Sequence, residues 1–156
     1  MWHNKADTIA RVDAEYTALD AVVRRLGTAG LEGDVPGFGA RARIRRERWK
    51  RKDALAHIVE WKRQALRALR KEPSDPKLRG LVIAEKNRAL YRRWHSRPAR
   101  DVVAYHRQVH RDVMTAMRAL PDEYFRKRFS PQWPNDLVGH SAEHRRRHLE
   151  TPDVKT

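Results

Sequence analysis

The stretch "GHSAEHRRRHL", residues 139–149, sets His140, His144 and His148 four residues apart. On an α-helix such residues stack along one side, and the neutral imidazole is the commonest side-chain ligand for a divalent metal. Two imidazoles one turn apart can grip an ion, but zinc sites use three or four protein ligands. Counting from Leu137 and Val138 at roughly 100° per residue, His144 and His148 fall on the apolar side of this helix. His140 falls farther round, toward solvent. A third ligand must then come from another helix, and His57, one turn before Trp61 in "AHIVEW", has the best register. His106 and His110 form a second, rival pair four apart. The competing reading is a row of surface histidines on a very basic protein.

Residues of this kind need elements that bring them together. "NKADTIARVDAEYTALDAVVRRLG" predicts a long first helix capped by Asn4, with Asp7 three residues on. Ile9, Val12, Tyr16, Leu19, Val23 and Leu26 form its seam, and Gly27 is a natural stop. A glycine-rich loop follows and runs into "RARIRRERWKRK", where the side chains from Arg43 to Lys52 are expected in solvent. "KDALAHIVEWKRQALRALRKE" predicts the second helix, with Asp53 at its start and Leu55, Ile58, Val59, Leu66 and Leu69 as its core stripe. "LVIAEKNRALYRRWHSRP" predicts a short helix within a connection. The third main helix, in "ARDVVAYHRQVHRDVMTAMRALPDEYF", buries Val102, His106, Val109, Val113, Met117 and Leu120. The fourth is expected to begin near Asn135 and to carry the histidines. The expected fold is an all-α four-helix bundle over residues 1–150 with a short extra helix between the second and third, and a frayed tail at 151–156.

The bulk properties fit that outline. The 156 residues suffice for one core, and 40% apolar with 35% charged residues suits amphipathic helices with charged outer faces. The formal charge of +15 admits nucleic acid, an acidic membrane surface or an anionic ligand as partner. With no cysteine there is no disulfide, thiolate ligand or cysteine nucleophile. No apolar run approaches a membrane span or a signal-peptide core, which points to a cytoplasmic protein without a membrane partner.

"ERWKRKDALAHIVEW" resembles the start of the second helix in the DinB-like four-helix-bundle superfamily: a tryptophan, a short gap, an Asp-containing start, then HxxxW. "IAEKNRALYRRWHSRPARDVVAYHRQVHRDVMTAMRALPDEYF" and "LVGHSAEHRRRHL" resemble its ClbS/DfsB branch, so that the likeness spans nearly the whole chain. The resemblance implies a divalent metal (zinc, nickel or iron) on one histidine of the second helix and two of the fourth, here His57, His144 and His148. His140 stands where the branch has asparagine, which leaves a pairing of His140 with His144 as the alternative. Arg145 replaces a tyrosine of the branch. The superfamily includes thiol-dependent transferases and isomerases, and the branch includes self-resistance hydrolases that open a reactive ring.

Two function classes therefore compete, beside a bundle that retains no chemistry. The first is an enzyme, a metal-dependent hydrolase or thiol transferase detoxifying a small electrophilic metabolite. His57, His144 and His148 would be its ligands and catalytic groups, with Glu143 as proton carrier. Glu60 is a second candidate proton carrier, and the competing reading of both acids is a solvent-facing helix position. Trp49, Trp61, His140 and Arg145 would contact the substrate. The second is a non-catalytic module, monomer or homodimer, that sequesters a metabolite or shields DNA through Arg45, Arg46, Arg48 and Lys50, with Trp49 stacking on a base.

Overall fold

The computed structural model describes residues 1–35 and 46–151. It is all-helical: among the described residues the only β-type pairings are isolated bridges, Trp2 with Arg128 and Asp34 with Lys50. The helices are α1 (Lys5–Leu31), α2 (Arg51–Leu69), α3 (Ile83–Trp94), α4 (Ala99–Ala119) and α5 (Gly139–His144). A 3-10 turn at Asp122–Phe125 follows α4, and α5 continues into a π-helical turn at Arg145–Leu149.

Local chemistry sets these boundaries. Asn4 is extended and its side chain accepts a hydrogen bond from the Asp7 amide at 2.7 Å, satisfying one of the free donors at the start of α1. Gly27, at φ +64°, breaks α1 as expected, but one further helical turn carries it to Leu31. At the start of α2 the Lys50 amide donates to Asp53 at 2.9 Å. The same carboxylate oxygen meets His95 Nδ1 at 2.7 Å, tying the N-terminus of α2 to the end of α3.

The largest helix–helix interface is that of α2 with α4. Leu55, Ile58, Val59 and Leu66 of α2 pack with Val102, Val109, Val113 and Met117 of α4, joined by Val12, Leu19 and Val23 of α1 and by Leu137. Ile9, Leu26, Leu69 and Leu120 are partly buried at the margin. Leu55 and Ile58 are fully inaccessible, so truncating either to alanine should cost about 2–5 kcal/mol in a urea melt.

α2 departs from expectation in one respect. Every residue from Arg51 to Glu60 is buried, so its first half is enclosed all round instead of presenting one stripe. Every polar group on that half must therefore find a partner or a ligand. Arg51 and Lys52, expected in solvent, are instead 6% and 4% exposed. Arg51 points at the Gly30 carbonyl, and Lys52 Nζ donates to the carbonyls of His95 and Arg97. Lys50 pairs with Glu32 at 3.2 Å. Arg46 and Arg48 are exposed, as expected, whereas the expectations for Arg43, Arg45 and the 152–156 tail lie outside the described residues.

Candidate metal centre

His57 projects from the enclosed half of α2, and α5 runs beside it. The His57 ring lies 5.1 Å from that of His140 and 4.7 Å from that of His144, centroid to centroid. One ligand nitrogen from each of the three lies within 4.8 Å of the other two. At a Zn–N distance of about 2.05 Å, tetrahedral ligands stand roughly 3.3 Å apart, so small ring movements would close the set on one ion.

His148 is beside this group but not in it, its ring stacking on His144 at 5.2 Å. The structure thus brings His140 where His148 was expected. The reason is local. Leu137 and Val138 precede the helix, with Val138 at φ −125° and ψ −73°, so a helical angle counted from them does not carry into α5. The helix begins at Gly139, four residues later than expected, and widens into the π turn immediately after His144. That turn returns Leu149 to the core, where it is 1% exposed. Gly139 matters at this start: a Cβ there would collide with the Gln132 side chain, which packs against the backbone just before His140.

The electrostatics favour neutral rings. Burial first, then the neighbouring His144, His140 and His148, hold His57 well below the ordinary histidine range. His144 is pushed down to about 3 by burial and by His140 and His148. Burial, with Arg147 adding to it, takes His148 to about 4. His140 is lowered chiefly by burial, with Lys62 adding and Glu143 opposing. At neutral pH the four rings are therefore uncharged, the protonation state that a metal ligand requires. His140 Nδ1 is buried with no hydrogen-bond partner among the described residues.

Two indoles flank the group. Trp61 lies 6.3 Å from His57 and 5.9 Å from His140, and Trp49 lies 6.0 Å from His57. Trp49 is 4% exposed and its Nε1 donates to Glu47, so its face is not open to a nucleobase. The other expected site residues are engaged elsewhere. Glu143 is exposed and paired with Arg147 at 3.2 Å. Arg145 grips Glu15 of α1 through two nitrogens, Nε at 2.8 Å and a terminal nitrogen at 2.7 Å, and also reaches Glu150. Its position is that of a clamp holding α5 to α1. Glu60, read as solvent-facing, is 2% exposed and accepts from Trp94 Nε1 at 2.7 Å and Arg93 at 3.1 Å. His106 points away from the group toward Asp20, at 3.1 Å, and His110 meets Asp13 at 3.2 Å, so neither contributes a ligand.

The sequence reading missed the residues behind the histidines. Ser141 Oγ donates to the second oxygen of Glu15 at 3.2 Å, completing the Glu15–Arg145 clamp. Lys62 is 5% exposed on α2, its charge sensed by both His140 and His106. Spacing held one signal for the clamp: Ser141 and Arg145 are four apart and share a face of α5 offset by one residue from the histidines.

No family model and no curated protein matches the chain. Among solved structures it is similar to an uncharacterised protein from Escherichia coli UTI89, with a TM-score of 0.66 and 10% identity over 93% of this chain and 92% of that one. At that identity the likeness is one of fold. No helix among the described residues is long and apolar enough to cross a membrane.

Proposed function

We propose that this chain is a DinB-like enzyme of the ClbS/DfsB type, a hydrolase or transferase that converts a small electrophilic metabolite at a metal held by His57, His140 and His144. The observation that carries the reading is the convergence of three neutral imidazoles from two helices, with ligand nitrogens within 4.8 Å of one another. A purely structural use would leave the buried His140 Nδ1 without compensation. A bound divalent ion (zinc, nickel or iron) would supply Lewis-acid activation at its open positions. The protein's own part is to orient the rings through the enclosed half of α2 and the Glu15–Arg145 clamp on α5. Trp49 and Trp61 exclude water from two sides of His57. His148 stacks on His144 beside the ligand set.

The test is metal content of protein purified without a histidine tag. About one equivalent of divalent metal is expected, falling by roughly tenfold or more in His57→Ala, His140→Ala and His144→Ala as a ligand is lost. His148→Ala should keep the metal. Loss in His148→Ala with retention in His140→Ala would restore the ligand set of the resemblance, and absence of metal from the wild type would overturn the reading.

The sequestering or DNA-shielding alternative loses support at particular residues. Lys50, Arg51 and Lys52 are engaged within the fold and Trp49 is covered. Replacing Arg46 and Arg48 with glutamine should leave polyanion affinity and its salt slope nearly unchanged. A slope reduced by about two counterions would revive that alternative.

A further inference from the structure

The chain carries 35 basic and 20 acidic side chains, so a carboxylate left without a cation is unexpected anywhere in it. Among the described residues, Asp34, Asp122, Glu123 and Asp136 are the acids whose side chains make neither an ion pair nor a hydrogen bond. The first three are exposed and keep their water, whereas Asp136 is half-buried. Burial alone raises its carboxyl above the usual aspartate range, with no neighbouring charge acting on it. It does not cap α5 either, whose N-cap position makes no side-chain hydrogen bond. A desolvated carboxylate without a partner costs stability, and nothing among the described residues offsets that cost.

Asp136 lines a cavity of about 230 Å³ enclosed by α1, α2, α4 and the 133–137 segment. Its oxygens are not among the inaccessible orphaned atoms of the interior, so they keep accessible surface. The walls are apolar and aromatic, with Leu69, Met117, Tyr124, Phe125 and Trp133 among them. Free acceptors are few: the Thr8 hydroxyl is spent on the Asn4 carbonyl at 2.7 Å, and Asn135 is exposed. The Tyr124 ring already receives one cation, Lys127 Nζ at 5.9 Å from its centroid.

A carboxylate among aromatic walls suits an organic cation, whose charge meets the acid while its methyl groups meet the rings. A primary ammonium would bring three N–H donors to a lining poor in acceptors, whereas a quaternary ammonium presents only C–H. The volume lies below the ~300–1,000 Å³ of sites that enclose a drug-sized ligand, so it suits a cationic head group.

We propose that this cavity binds a methylated ammonium group, with Asp136 as counter-ion and Tyr124 and Trp133 as aromatic walls. The site is independent of the histidine group and stands whether or not those rings hold metal.

The test uses untagged protein with 15N-labelled indoles, the Trp133 signal being assigned by its absence in Trp133→Phe. The probes are choline, ethanolamine and the uncharged isostere of choline in which a tert-butyl group replaces the trimethylammonium. Choline should move the Trp133 signal saturably, the isostere should not, and ethanolamine should bind more weakly. On a chain of charge +15, saturable binding of a cation is not a general electrostatic attraction. Asp136→Asn should weaken choline by about tenfold or more, as an ionised partner is lost, and should not lower the urea midpoint. Tyr124→Leu should weaken it by about fivefold, the worth of one ring face. Phosphatidylcholine vesicles that displace choline would identify a lipid headgroup as the source of the cation, and choline retained in their presence a free metabolite. An unmoved Trp133 signal, an equal response to the isostere or to ethanolamine, undiminished binding in both variants, or a urea midpoint lowered by Asp136→Asn overturns the site.

Discussion

Replacing Glu15 with alanine should cost about 3–5 kcal/mol of folding free energy, the range for breaking one partner of a buried ion pair. Glu15 is 6% exposed and carries Arg145 on one oxygen and the Ser141 hydroxyl on the other. Without it, Arg145 keeps only Glu150 at the edge, Ser141 loses its acceptor, and the buried Lys62 loses the carboxylate that favours its charge. The α5 segment that carries His140 and His144 would lose its attachment to α1, so metal content should fall with stability. Urea unfolding reads the first effect. Glu15→Gln, which preserves shape and an acceptor but not the charge, should recover only part of the loss. A destabilisation below about 1 kcal/mol, the level of an exposed pair, would show that the clamp is not closed in solution.

Replacing Lys62 with methionine should act in the opposite direction. Its ammonium is pushed down to about 8 by burial, against the pull of Glu15 and with Arg145 adding to the burial effect. The folded value lies below the unfolded one of 10.5, so the unfolded chain binds more protons between pH 8 and 10.5. Stability attributable to this group therefore rises with pH through that window, and below it the full deficit is present. At about 1.36 kcal/mol per pH unit the deficit at pH 7 is on the order of 3 kcal/mol. Lys62→Met, close in volume, should raise stability at neutral pH by up to that amount. Its advantage over the wild type should shrink between pH 8 and 10.5. The two substitutions share a network, so the double variant should be more stable than the sum of the singles. A Lys62→Met protein less stable than the wild type at pH 7 would mean that the amine is well paired.

The helices were legible because burial repeats along them. Val12, Leu19 and Val23, or Val109, Val113 and Met117, state a period that a single strand of text contains. Caps were legible for the same reason, since Asn4 and Asp53 act within three residues of themselves. His57 and His144 were legible as a pair, one from each of two helices. What could not be read is what depends on the starting angle of α5 or on a third helix. His140 and His148 differ only in that angle, and it is set by the non-helical turn at Val138 and by the π turn that follows. Glu15, Ser141, Arg145 and Lys62 each carry an ordinary polar letter on their own helix. Only their meeting distinguishes them, as it does Glu60, whose partners Arg93 and Trp94 arrive from α3.

The π turn at Arg145–Leu149 also bears on how this chain should be compared with others. A turn closed by i to i+5 bonds lodges one more residue than an α turn does. A homologue whose last helix is α throughout would be one residue shorter there. Ungapped, it would align correctly through His144 and be out of step at Leu149. In this chain the equal spacing of His140, His144 and His148 is therefore a coincidence of two reading frames. The first two histidines belong to the frame that faces α2, and the third belongs to the frame that seats Leu149.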